Sequence, residues 1–186
     1  IIIATGFDPL DPTPMIQYGY GKFANVFTNL EFERLSNATG PTLGKLLKRD
    51  LKDPMRFTEP PKSVAILHCI GSRDINYHEY CSRTCCMYAL KEAMVTKERF
   101  EEEIETTIFY MDMRTFGKDY ERYFNRAKDE YNVRMIRSRP HSIVENAGSR
   151  DLSITYALEE EALQTTEDFD MVVLSTGFRM GDTTID

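Results

Sequence analysis

The run Val64-Ala-Ile-Leu-His-Cys69 has the character of a buried strand. It passes through Ile70-Gly-Ser-Arg73 and a polar loop into the block Tyr80-Cys-Ser-Arg-Thr-Cys-Cys-Met-Tyr-Ala-Leu-Lys-Glu-Ala-Met94, where a helix is expected from roughly Cys81 to Phe100. Strand, loop and helix in that order commit this part of the chain to a β-to-α turn. In an open α/β sheet such turns lie at the carboxyl ends of the strands, where ligands bind. All four cysteines of the 186-residue chain, Cys69, Cys81, Cys85 and Cys86, fall on this one turn.

The same rhythm continues downstream. Residues 106–113, rich in β-branched and aromatic side chains, read as a strand. Residues 118–131 read as a helix, with Tyr120, Phe124, Ala127 and Tyr131 spaced as one apolar stripe. A third strand over 133–138 is closed by Pro140. Strands alternating with helices imply parallel βαβ units with right-handed crossovers. The expected fold is therefore α/β, a Rossmann-like parallel sheet with flanking helices. Residues 142–144 and 152–158 read as a small antiparallel excursion around Ala147-Gly148, and 170–177 as a return to a buried strand.

Upstream, Ile1 to Ala4 reads as a buried strand ending in Thr5-Gly6, followed by the proline-rich turn segment 8–14. A short strand is expected over 23–27. Thr28 N-caps a helix through residue 35, with Glu31 completing a capping box. Residues 37–63 carry Pro, Gly and charge and read as a surface excursion or linker. The expected organisation is 1–63 as the edge of a cofactor domain plus linker, 64–170 as the lobe carrying the cysteines, and 171–186 as a return strand. The chain opens on a strand-like segment without Met, so it is expected to be a piece of a longer polypeptide.

Composition excludes several classes. Hydrophobic residues at 41% supply a core, and a net charge of -7 argues against a nucleic-acid footprint, which requires a basic patch. No apolar run approaches the roughly 20 residues of a membrane span, and no basic segment precedes an apolar one at the start. A cytoplasmic protein is expected.

The cysteines leave several readings open. A zinc knuckle fits Cys81 and Cys85, but Cys69 and the adjacent pair Cys85-Cys86 supply no second knuckle. A dithiol redox site would use Cys-x-x-Cys, which is absent. Inert buried thiols are a further alternative. Four thiolates can also coordinate a [4Fe–4S] cluster, and the nearby helix N-terminus favours their anionic form. A pyrophosphate cradle would need a glycine-rich turn, and only Gly71 is present, which disfavours NAD(P)H.

One internal echo stands out: Ile2-Ile-Ala-Thr-Gly-Phe7 and Val173-Leu-Ser-Thr-Gly-Phe178 share one pattern. It resembles the strand ends at which two-dinucleotide-domain flavoproteins leave and re-enter the flavin domain. The stretches Val64 to Asp74, Tyr80 to Ala89 and Phe109-Tyr-Met-Asp-Met-Arg-Thr-Phe-Gly-Lys118 resemble the A subunit of heterodisulfide reductase. They are also similar to the A subunit of the quinone-interacting membrane-bound oxidoreductase. These proteins have a thioredoxin-reductase-like flavoprotein core carrying FAD and iron–sulfur clusters.

The resemblance implies the central part of an FAD-dependent oxidoreductase subunit, inactive on its own, that moves electrons between FAD and [4Fe–4S] clusters. It implies metal ligation by Cys69, Cys81, Cys85 and Cys86, and flavin contacts from Thr5, Gly6, Thr176 and Gly177. Lys91, at the helix position from which related reductases point an acidic group at the flavin, is either a catalytic residue that stabilises the anionic reduced flavin or an ordinary solvated helix lysine. Partners are the other subunits of a heterodisulfide reductase-like or quinone-linked complex, or a second copy in a homodimer. The expected location is cytoplasmic or peripheral to a membrane complex. The alternative is a zinc-stapled or metal-free docking module without a redox role. Asp112 is expected as a vestige of a ribose-binding acid, His68 as a core histidine or a partner of a ligand, and Met87, Met94 and Met111 as core filler. His78 and His141 have no assigned partner. Glu31 and Glu33 face either solvent or the flavin.

Overall fold

A computed structural model describes residues 2, 4, 6–100, 104–158 and 163–181. Thr5 and much of the first expected strand lie outside the described residues. Five parallel strands form the central sheet: β2 (Val26–Thr28), β3 (Ser63–Ile70), β4 (Glu105–Tyr110), β5 (Arg134–Arg137) and β9 (Met171–Thr176). Their spatial order is β2-β9-β3-β4-β5. Every residue of β9 is buried, as is all of β3 after Ser63, in keeping with strands covered on both faces.

Helices α1 (Asn29–Ser36), α2 (Cys85–Arg99) and α3 (Tyr120–Asp129) join the strands. Phe32 and Leu35 of α1 and Ala89, Leu90, Ala93 and Met94 of α2 close one core against Val64, Ile66, Ile108 and Val173. Each large side chain buried there contributes on the order of 1.5–3 kcal/mol. The opposite face is covered by an antiparallel meander of β6 (Ile143–Glu145), β7 (Leu152–Leu158) and β8 (Leu163–Phe169). Leu152, Ile154, Tyr156 and Phe169 pack there on Ala65, Leu67, Phe109 and Val172. The short strands β1 (Asp8–Pro9) and β10 (Phe178–Arg179) pair antiparallel.

The expected α/β architecture holds, and the capping box at Thr28 and Glu31 is present. Strands β2 and β9, from either side of the segment expected as the cysteine-bearing lobe, share the sheet with β3, and β9 lies between β2 and β3. Other expectations need correction. The cysteine helix starts at Cys85 rather than Cys81, since Arg83 adopts φ 66° and breaks the helical path. Tyr120 is exposed, and the apolar face of α3 runs through Tyr123, Phe124 and Ala127 to Tyr131. Strand β8 is not expected from the sequence, because Gln164-Thr-Thr-Glu-Asp168 is polar on both faces. No described helix is long and apolar enough to cross a membrane.

Candidate functional site

Strand β3 loses its regular register with β9 between Leu67 and Ile70. Within that break Cys69 takes φ 60°, a left-handed conformation that costs a non-glycine residue on the order of 1 kcal/mol or more. Such strain persists where the surroundings impose it, and it concentrates at functional sites. Gly71 at φ 73° then lets the chain turn out of the sheet. The loop folds back on itself: the His78 amide donates to the Gly71 carbonyl at 3.2 Å and the Arg73 amide to the Tyr80 carbonyl at 3.2 Å. It ends at Thr84, which N-caps α2 without a side-chain bond to the helix. The first-turn amides of α2 therefore sit beside the adjacent pair Cys85 and Cys86.

The loop and helix bring the four expected ligands together at the carboxyl edge of the sheet. Cys69, Cys85 and Cys86 are buried, Cys81 is half-buried, and all four are free thiols. The thiols of Cys69 and Cys85 each feel both Cys81 and Cys86 electrostatically. The Arg83 amide points at Cys81 Sγ at 3.4 Å. The Arg114 amide points at Cys86 Sγ at 3.5 Å, and His68 Nδ1 lies 3.9 Å from the same sulfur. A hydrogen bond from the Cys85 thiol, aided by His68 and the Arg114 amide, holds Cys86 well below the usual thiol range. The same hydrogen bond, with burial, pushes Cys85 up. Burial likewise raises Cys69. Among the described residues, no three of His, Cys, Asp and Glu stand close enough together to hold a single metal ion.

Two arginines outside the expected site flank the thiols. Arg73 pairs with Asp112 and also reaches Cys69. Arg114 Nε donates to Asp112 at 3.3 Å, and its guanidinium reaches Cys81. Asp112 is thus an anchor for two cations, not a free ribose acid, and their hydrogen bonds hold its carboxyl below the ordinary value against its partial burial. Both arginines fall within stretches that the sequence already marks, Gly71-Ser-Arg73 and Asp112-Met-Arg114, and that proximity is the available signal.

The remaining expected residues are placed less simply. Gly6 has φ 74°, and the Phe7 ring next to it meets Phe178 at 4.1 Å. The two copies of the sequence echo meet at their last residues, Phe7 and Phe178, next to the pairing of β1 with β10. Thr176 is fully buried and engaged internally, its hydroxyl on Asn29 Oδ1 at 3.2 Å and its carbonyl accepting from the Tyr88 hydroxyl. Gly177 is wedged against the cysteine loop: a Cβ there would stand 2.0 Å from Ser72 Oγ and 2.2 Å from Ser82 Oγ. Lys91 points toward α1, where its ammonium meets Glu33 at 2.9 Å. Glu31 is engaged in the cap of α1. His68 is 4% exposed, and His78 stacks edge-on with Tyr80. Met94 is core, as expected.

A cavity of about 410 Å³ lies at the opposite end of the sheet, lined by Lys48, Arg49, Arg150 and Asp170 among others, and contains no cysteine. A second, of about 350 Å³, borders the cysteine loop through Gly71, Tyr77 and His78 and the β1–β10 ribbon through Pro9 and Arg179.

No protein-family model matches the chain. Curated relatives do. The A subunit of the H(2):CoB-CoM heterodisulfide,ferredoxin reductase of Methanothermobacter marburgensis is 46% identical over 180 residues, which are 95% of this chain and 26% of that protein. An iron-sulfur A subunit of CoB–CoM heterodisulfide reductase from Methanopyrus kandleri is 42% identical with the same coverage. The A subunit of the ferredoxin/F(420)H(2)-dependent CoB-CoM heterodisulfide reductase of Methanosarcina acetivorans is 39% identical, over 96% of this chain and 21% of its own length. The chain spans about a quarter of the length of the first of these relatives. Among solved structures, L-lysine 6-monooxygenase from Pseudomonas syringae superposes with a TM-score of 0.54 at 13% identity, over 96% of this chain and 45% of that one. That likeness concerns the fold alone.

Proposed function

We propose, from the premise that this chain is a relative of the heterodisulfide reductase A subunits, that it forms the cysteine-bearing lobe of a flavin- and iron–sulfur-dependent electron-transfer subunit. Cys69, Cys81, Cys85 and Cys86 would hold a [4Fe–4S] cluster. The observation that carries the reading is the convergence of four free thiols from a strand end, a loop and a helical first turn, with backbone N–H groups aimed at two of the sulfurs. Such donors suit sulfurs that carry negative charge. Arg73 and Arg114 add positive charge beside thiolates, and Asp112 keeps both guanidinium groups in place. When bound, the cluster supplies a one-electron site and FAD supplies the exchange between electron pairs and single electrons.

The chain's own part is to bring the two cofactor regions together. Gly177 and Phe178 join the end of β9 to the cysteine loop, the Phe178 amide donating to Ser82 Oγ at 2.9 Å. Gly6 leaves exposed backbone where a flavin would approach, and the buried Thr176 and Gly177 form the strand end beside it. Lys91 is the cation nearest this role on α2, and it would exchange its partner Glu33 for the flavin in the intact protein. The relatives' names carry subunits, a heterodisulfide and an iron–sulfur label, and the proposed electron path ends on such partner subunits.

Alanine at Cys86 tests the proposal in the full-length protein. The expected result is loss of a cluster signal in electron paramagnetic resonance and loss of electron flow from flavin to partner, with flavin still bound. Unchanged turnover would contradict it, and zinc in place of iron at the wild-type site would favour the docking-module alternative.

A further inference from the structure

His68 belongs to β3, where alternation turns Ile66 to the helix-covered core and Leu67 to the meander-covered one. Residue 68 therefore faces α2. Its imidazole is 4% exposed. One ring nitrogen, Nδ1, stands 3.9 Å from Cys86 Sγ, within reach of a hydrogen bond to the large sulfur atom. The other, Nε2, is buried and has no hydrogen-bond partner among the described residues. A histidine retained only for packing would satisfy both nitrogens or be replaced by an apolar side chain, because an unpaired buried polar group costs about 1–3 kcal/mol. Among the described residues, the contact at Nδ1 is thus the one polar interaction by which the ring is oriented.

We propose that His68 is a positioning residue for the iron–sulfur site, donating from Nδ1–H to the sulfur of Cys86 and raising the reduction potential of the cluster held there. The inference rests on the proposed cluster ligation. A ligating cysteine is deprotonated and can only accept, so the nitrogen facing it carries the hydrogen and the tautomer is fixed by the partner. The Arg114 amide donates to the same sulfur at 3.5 Å, giving Cys86 two donors from two separate elements. Each stabilises negative charge on the ligand. Reduction adds negative charge to the cluster, so the reduced state gains more from these bonds than the oxidised one. The hydrogen bond also selects one side-chain rotamer for Cys86, before any cluster is present.

The test uses the full-length protein, purified without oxygen, in three forms: wild type, His68→Leu and His68→Asn. Leucine removes the donor and keeps the volume, whereas the asparagine amide sits one bond beyond Cγ, as Nδ1 does. Redox titration followed by paramagnetic resonance should give a lower midpoint for His68→Leu, with the reduced-to-oxidised ratio at fixed potential down about tenfold, ~59 mV for one electron. His68→Asn should lie close to wild type. Independently of any variant, selectively labelled histidine nitrogen should couple magnetically to the reduced wild-type cluster through this bond. Equal midpoints in all three forms, or no histidine coupling in the wild type, overturn the proposal while leaving the ligand set intact. A wild-type protein that binds no cluster at these cysteines overturns both.

Discussion

Glu92 lies on the buried side of α2 at 3% exposure, and neither of its carboxyl oxygens has a hydrogen-bond partner among the described residues. Burial pushes its pKa from 4.5 up to about 8, with Lys91 opposing and Glu33 adding slightly. The folded chain therefore holds a proton that the unfolded chain releases across that window. Stability from this group is complete below the unfolded value near 4.5 and is lost as pH rises through about 8. At roughly 1.4 kcal/mol per unit, the full swing is about 5 kcal/mol, of which about 3 kcal/mol is already lost at pH 7. Glu92→Gln keeps the shape and removes the ionisation. Urea unfolding of both proteins between pH 5 and pH 8 should show the variant gaining on wild type by about 1.4 kcal/mol per pH unit. A difference between the two that does not change with pH would mean that Glu92 is charged and paired in the folded state, and would refute the burial argument.

Gly177→Ala forces a methyl group into Ser72 and Ser82, and should cost about 1–3 kcal/mol in chemical denaturation by overpacking; unchanged stability would mean the loop and β9 are not in contact. Thr28→Ala removes the hydroxyl that accepts from the Glu31 amide, while the Thr28 amide keeps its bond to the Glu31 carboxylate, and should cost about 1 kcal/mol, read from the denaturation midpoint. Asp170 accepts from the Lys62 amide at 2.7 Å, the Ser63 amide at 3.2 Å and Lys48 Nζ at 3.0 Å. Asp170→Ala should therefore destabilise by about 2–4 kcal/mol through loss of charge-assisted hydrogen bonds, and Lys48→Met by much less, since only one of the three bonds is its own.

The parts of the fold that are legible in the sequence are those in which one local rule decides the outcome. The apolar run of β3 and the Thr28–Glu31 capping pattern each have a single stable solution. What stays hidden is set by tertiary context. Nothing local marks Arg83 as left-handed, and that one residue takes Cys81 off the helix and puts it in the loop. Strand β8 is held by its ladder with β7 and by pairs such as Thr155 with Thr166, not by an apolar face. At the site, the four cysteines declare themselves by type and spacing. Arg73, Arg114 and the orientation of His68 do not, because Arg73 depends on Asp112, and Arg114 and His68 on Cys86, arriving from other elements. That β2 and β9 join the sheet of β3 is likewise set by long-range pairing rather than by any local pattern.

Iron and acid-labile sulfide per chain, compared between the anaerobically purified full-length protein and a variant with serine at positions 69, 81, 85 and 86, test the central claim most directly. The expected difference is about four iron and four sulfide per chain. Equal iron and sulfide in the two proteins, or a difference of one zinc per chain with no sulfide, would contradict it.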